Sequence, residues 1–511
     1  MSHTEEYSPQ VERRLLVAIF AAIVLYALAA VMGWPQAGAA LMGGEQHRIE
    51  TDTHARPEPP PTWAVAPFVL LLGAIAVFPL LPATKHWWES NRNRFLVAAS
   101  LGMITLAYYF VLHRGPIERH FLGHGLVQPS PGAASWLLPW TVFQNAVLDE
   151  YVPFIVLLFS LYTICGGIRI SGDLPAHPFT NTAFIAIGGV LASLIGTTGA
   201  AMVLIRPLLE TNSERKHVRH TVVFFIFVVC NCGGCLLPIG DPPLFLGYLQ
   251  GVDFLWTLSL WKEWAFVNLS LLGIYFCWDQ FWAYPREAKR DITTDERHVR
   301  KLQFRGLWPN IPLLLGVVLA VAMLSPSKPI PGTEWHPWLW LREIVQLLLV
   351  GASLVLGFQA VRRDNRFTYA AIVEVAVLFL GIFICMQPAL QILDVRGAAL
   401  GVDTPTRFFW FTGGLSAVLD NAPTYLVFFK TAQSLHAEGP SQAGVPVEML
   451  AAISLGAVFM GAMTYIGNGP NFMVKSIAEQ SGVKMPSFFG YLLYSVCVLL
   501  PLLTLMQLLF L

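Results

Sequence analysis

The sequence predicts an all-α polytopic membrane protein made of two inverted repeats, each with a re-entrant helical hairpin and a broken transmembrane helix. Three observations predict it: an apolar composition, uncharged runs of spanning length, and two kinds of interrupted apolar segment that recur at nearly one spacing. Of 511 residues, 55% are hydrophobic and 13% charged, where a soluble chain carries about a quarter charged residues. The formal net charge of zero argues against a nucleic-acid partner. No phosphate-binding loop, dinucleotide fingerprint or nucleophile elbow occurs, so neither an enzyme nor a bound cofactor is expected. Seven cysteines, most of them inside apolar runs, read as reduced thiols rather than a disulfide framework.

Crossing a hydrocarbon core of about 30 Å takes roughly 20 apolar residues in a helix. Plain candidates lie at 15–34, 62–82, 95–112, 151–168, 264–282, 307–325, 343–361, 369–393 and 487–510. The first is read as a span because its apolar run exceeds the roughly 7–15 residues of a signal-peptide core. The chain then divides into an N-terminal helix and outer loop (1–60), a first repeat (61–283), a charged linker (284–306) and a second repeat (307–511). Within the repeats, hairpins are expected at 174–211 and 404–435, and broken helices at 218–250 and 447–481.

Charge sets the orientation. With the N-terminus cytoplasmic and both hairpins entering and leaving on one side, well over half of the 32 Lys and Arg fall inside, as the positive-inside rule asks. The linker is then cytoplasmic. The first hairpin dips in from the cytoplasm and the second from outside, which is an inversion.

Sequence pattern supports the same duplication. "LASLIGTTGAAMVLIRPLL" (191–209) and "LSAVLDNAPTYLVFFKTA" (415–432) both read as apolar helix, polar break, apolar helix and then a cation, Arg206 or Lys430. Each is followed by a second break, "GCLLPIGDPPLFLGYLQG" (234–251) and "GAMTYIGNGPNFMVKSIA" (461–478). Thr198 and Asn421 are 223 residues apart, and Asp241 and Asn468 are 227 apart. Two motifs keep almost the same offset.

These features, with "IGDPP" and "IGNGP" in the breaks and "LDNAPT" at a hairpin tip, resemble the ion transporter superfamily, and within it NhaD-type sodium/proton antiporters and citrate-transporter-like chains. The resemblance covers most of the chain from about residue 60 and implies that tips and breaks meet near mid-membrane to form ion sites. Carried over, it implicates Thr197, Thr198, Asp241, Asp420, Asn421, Thr424 and Asn468. It further implies Na⁺ held by Asp241, Thr198, Asp420, Asn421 and Asn468, a homodimer, and residence in a bacterial plasma (inner) membrane among lipid. Carboxylate carriers of the superfamily have Ser-Asn-Thr at both tips; here the tips read Gly-Thr-Thr-Gly and Asp-Asn-Ala-Pro-Thr.

Elementary chemistry gives these residues work. Irregular backbone at membrane depth survives only where protein or a cavity satisfies it, so each break marks a site. Freed carbonyls, the hydroxyls of Thr198 and Thr424, and the amide oxygens of Asn421 and Asn468 are hard ligands suited to Na⁺. A carboxylate in the bilayer costs at least about 2.5–3.5 kcal/mol if charged and unpaired, so Asp241 and Asp420 should carry either a proton or a cation. Competition between the two is enough for exchange.

Other readings exist for the same residues. Asp241 and Asp420 are also favoured N-caps for the helices that follow. Glu374 reads as an interfacial ion-pair partner, Asp149 and Glu150 as anchors at the start of a span, and Arg206 and Lys430 as snorkelling cations. Cys230, Cys232 and Cys235 read as small residues for close helix contact. The function expected is Na⁺(Li⁺)/H⁺ antiport by alternating access. The alternative is Na⁺- or H⁺-coupled symport of a small organic anion such as citrate.

Overall fold

The computed structural model describes residues 9–43, 59–79, 81–123, 125–129, 136–297, 299–330, 332–435 and 439–511. Most of the expected outer loop after the first helix, and the first eight residues of the tail, lie outside the described residues. What is described is nearly all helix, with three short two-stranded ribbons. Five helices are long and apolar enough to cross a membrane: Pro9–Val31, Asn91–Val111, Leu137–Cys165, Pro178–Ile195 and Phe488–Phe510. Two bent pairs, Thr62–Val77 with Pro82–Trp88 and Ala370–Cys385 with Gln387–Leu400, bring the number to as many as seven. The protein is an all-α polytopic membrane protein.

Several expected bounds shift, and one shifts furthest. The span placed at 151–168 begins earlier, as the helix runs unbroken from Leu137 to Cys165 through a π-helical stretch at Gln144–Tyr151. Asp149 and Glu150 therefore sit inside a helix rather than at its start, and Glu150 is buried. A wide π turn re-aims polar side chains inward without ending the helix, which a hydropathy boundary cannot register.

The chain forms two compact units, residues 1–164 with 309–397, and residues 165–308 with 398–511. In the first, the N-terminal helix is fastened through charge: Arg362, 1% exposed, lies 3.6 Å from Glu12. Its guanidinium also donates to the carbonyl of Thr163 at 2.6 Å and to Ser353 Oγ at 2.8 Å. Glu374 is an ion-pair partner as expected, but of Arg94 at 3.0 Å.

The second unit contains both interrupted segment types. The first hairpin is Pro178–Ile195 and Thr197–Thr211, joined at Gly196, whose φ of 80° is open to glycine and costly for other residues. The second hairpin is Pro405–Ser416 and Asn421–Gln433. The first broken segment runs as helix Arg219–Val228, a 3₁₀ turn Cys232–Cys235 and helix Pro242–Leu249; the second as Val447–Met460, Gly461–Met463 and Gly469–Gln480. Proline is the first residue of three of these eight helical segments, Pro178–Ile195, Pro405–Ser416 and Pro242–Leu249, where a missing N–H costs nothing. Arm Thr197–Thr211 packs against Gly469–Gln480, and arm Asn421–Gln433 against Pro242–Leu249. Each hairpin thus packs against the broken segment that is distant from it in sequence.

Backbone freed at the breaks is satisfied by side chains. Ser193 donates to the Gly233 carbonyl at 2.6 Å, and Ser416 donates to that of Ala457 at 2.7 Å. Trp264 also bonds the Gly233 carbonyl, Asn268 that of Cys232, and Thr257 that of Leu236. In the second break, Asn471 donates to the carbonyls of Gly461 and Thr464, and the Tyr491 hydroxyl to that of Ala462. The turns themselves need glycine. A Cβ on Gly240 would lie 2.2 Å from the Gly234 carbonyl oxygen, and one on Gly467 would lie 2.6 Å from that of Gly461.

Candidate functional site

Asp241 is the residue before helix Pro242–Leu249, yet its side chain makes no capping bond. The prolines remove two of the N–H groups a cap would serve. Its carboxylate instead turns toward residues from three other elements and is 1% exposed. Thr197, at the tip of the first hairpin, donates its hydroxyl to Oδ1 at 3.0 Å. Asn468, in the second break, donates its amide to the same oxygen at 2.9 Å. Asn421, at the tip of the second hairpin, donates to Oδ2 at 2.7 Å. The backbone fixes this meeting as well, since the Thr197 N–H donates to the Gly240 carbonyl at 2.8 Å.

Four of the seven residues expected at the site are therefore brought together: Asp241, Thr197, Asn421 and Asn468. The other three are placed differently. Thr198 is half-buried and does not bond Asp241. Asp420 is also half-buried and caps its helix, accepting the Ala422 N–H at 3.1 Å. Thr424 is buried, and its hydroxyl donates to the Asp420 carbonyl at 3.0 Å. The carbonyls freed at the breaks, expected as cation ligands, are largely engaged by the side-chain donors described above.

Two asparagines escaped the sequence reading. Asn231, fully buried, donates to Asn471 Oδ1 at 2.8 Å and to the Ile226 carbonyl at 2.8 Å. Asn468 in turn lies within 3.3 Å of Asn231 Oδ1 and 3.0 Å of the Cys230 carbonyl. Asn231 and Asn471 thus hold Asn468 where it meets Asp241. The signal that exposes them is simple: an amide inside an apolar run must find partners. Cys230, Cys232 and Cys235 are buried free thiols around this network, and the close approach of Gly233 to Gly189, where a Cβ would meet the carbonyl oxygen at 2.5 Å, fits the close-contact reading of that stretch.

Charge distinguishes Asp241 from the other buried aspartate nearby in sequence. Asp279 is fully buried, but Arg215 Nη1 donates to its Oδ2 at 3.0 Å, Arg215 Nη2 bonds its Oδ1, and His220 Nε2 stands 3.0 Å from Oδ1. Asp241 receives three neutral donors. Among the described residues, no arginine, lysine or histidine pairs with it. One further atom is left over: Asn421 Oδ1 is buried with no hydrogen-bond partner, beside the carboxylate that its own Nδ2 contacts. A buried carboxyl group and an unsatisfied amide oxygen adjoin each other.

A family model described as "Putative citrate transport" matches residues 127–511, and so includes both hairpins, both breaks and every residue of the Asp241 cluster. The chain belongs to this family. No match to a curated protein is found. Membership in the citrate transport family makes the protein a transporter of the citrate-transporter-like group and accords with its apolar helices. The matched region begins before helix Leu137–Cys165 and leaves the N-terminal helix outside.

Proposed function

We propose that this member of the family is a Na⁺(Li⁺)/H⁺ antiporter in which the two cations compete for Asp241. The observation that carries the reading is a buried carboxylate with neutral donors and no cationic partner. Such a charge is not self-sustaining in a bilayer interior, and the compensating charge must be brought by an ion. Proton and Na⁺ exclude each other on one carboxylate. With Na⁺ bound, rotation of the Asn421 amide would turn its unsatisfied Oδ1 toward the ion and complete a small set of hard oxygen ligands with Asp241 and the Thr197 hydroxyl. Asp420 and Thr198 stand beside this group as its outer polar lining. The two segment pairs are read as inverted repeats, and alternating access as movement of the hairpin-bearing unit against a scaffold.

A second reading has its own support. The family description names citrate, and a coupled symporter would use the same cation site while holding a carboxylate at the half-helix N-termini of Pro242–Leu249 or Gly469–Gln480. Proteoliposomes with an internal pH dye separate the two. For the antiporter, Na⁺ or Li⁺ added to acid-loaded vesicles drives H⁺ out with no organic anion present, and the apparent cation affinity falls as pH falls. Silence toward Na⁺ alone, with current appearing only on adding citrate, would replace antiport by symport.

A further inference from the structure

We propose a divalent-cation site on the linker side of the hairpin-bearing unit, formed by Asp173, Glu214 and Asp295. One carboxylate oxygen from each of these residues lies within 4.8 Å of those from the other two. The three come from separate places in the chain. Asp173 ends strand Arg169–Asp173, just before the first hairpin; Glu214 follows the hairpin's second arm; Asp295 lies in the linker helix Lys289–Arg297. Strand Arg169–Asp173 pairs with Arg300–Arg305 of the linker, so backbone ties Asp173 to the segment that carries Asp295.

A second observation points to a ligand. Asp295 is 5% exposed; its Oδ2 accepts the Ala176 N–H at 2.9 Å, while its Oδ1 is buried with no hydrogen-bond partner. A cleft of about 540 Å³, lined by Asp173, Glu214, Thr294, Arg297, Val299 and Arg300, opens onto two of the three acids and gives an ion a way in. Divalent cations hold oxygens at about 2.0–2.6 Å, so ligand atoms on opposite sides of an ion are separated by up to roughly 4–5 Å. The acids lie close enough for one ion to draw them together by small side-chain shifts. Arg300 approaches Asp173 at 3.7 Å, but its side chain is 73% exposed and an exposed pair of this kind is weak. A bound ion would clip both feet of the first hairpin to the linker. The site is separate from the Asp241 cluster and does not depend on the transported species.

The test uses the full chain in detergent, stripped of metals, titrated with Mn²⁺ and followed by the loss of the free-ion electron paramagnetic resonance signal. We expect one saturable site, displaced by Ca²⁺ and unaltered in Asp241→Asn. Asp295→Asn, which can still accept the Ala176 N–H, and Glu214→Gln should each weaken binding about tenfold or more, since affinity follows the number of charged ligands. Arg300→Gln removes a competing cation from an exposed position and should tighten binding severalfold. Absence of saturable binding up to about 1 mM Mn²⁺, the weakest class of dedicated carboxylate site, would overturn the proposal. So would an affinity unchanged by both acid substitutions, or one unmoved by Arg300→Gln.

Discussion

Asp241 had two roles open to it from sequence, helix cap and ion ligand, and the structure removes the first. Its side chain caps nothing and is met by Thr197, Asn421 and Asn468. Asp241→Asn should therefore abolish Na⁺-driven proton movement while the thermal midpoint shifts little, because no helix cap is lost; exchange that persists in this variant removes the antiport mechanism. Asp420 behaves in the opposite way. As a cap on Ala422, it should tolerate Asn, another good cap, whereas Asp420→Ala should cost about 0.5–2 kcal/mol, measured by thermal unfolding in detergent. Exchange lost in Asp420→Asn at unchanged stability would make Asp420 a ligand. The sequence made Asp241, Thr197, Asn421 and Asn468 visible because each is polar at a break or tip. Asn231 was hidden among cysteines and glycines that read as contact residues, and Asn471 lies inside a helix whose rotation about its own axis no spacing argument determines.

At the scale of elements, hairpins and breaks were legible because glycine, proline and polar residues interrupt runs that are otherwise apolar. What was not legible was where their freed backbone groups go. The sequence reading kept those carbonyls for the ion; serine, asparagine, threonine and tryptophan side chains from neighbouring helices take many of them. The turns are also sterically exacting. Gly240→Ala and Gly467→Ala each drive a Cβ onto a backbone oxygen, with no flexible side chain to yield, and should abolish folded protein as judged by size-exclusion chromatography. Gly414→Ala, where nothing lies within 4 Å of the new atom, should behave as wild type. The loop after the first hairpin offers a further test. Arg215→Ala leaves Asp279 only its contacts with His220 and Tyr275, and loss of the charged partner of a buried pair costs about 3–5 kcal/mol. A double variant that also carries Asp279→Asn should recover part of that loss in thermal unfolding.

For the whole molecule, composition established the solvent and the helix class, while hydropathy alone did not reveal the two units, since each unit is assembled from two distant stretches of chain. Contact between such stretches depends on which helix faces meet, and nearly every face here is apolar. The proposed re-entrant topology makes a direct prediction about sidedness. Single cysteines placed at 174–180 and 210–216 should label from one face only, because both are feet of one hairpin; labelling from opposite faces sinks the re-entrant topology. Two of the seven native cysteines, Cys277 and Cys497, are exposed and need replacement first.

The division into units also bears on how the protein is made. Residues 165–308 emerge from the ribosome well before residues 398–511, yet both belong to one unit. During that interval Asp241 and Thr197 are already in the chain, while Asn421 and Asn468 have not been synthesised. The nascent first half must therefore enter the membrane with its central carboxylate only partly solvated by protein, a state favoured by protonation or by a membrane chaperone that shelters it. Neither half expressed alone should accumulate stably. A chain severed within the linker, with both pieces produced in the same cell, should reassemble, because no bond in the linker is needed for Asn421 and Asn468 to reach Asp241.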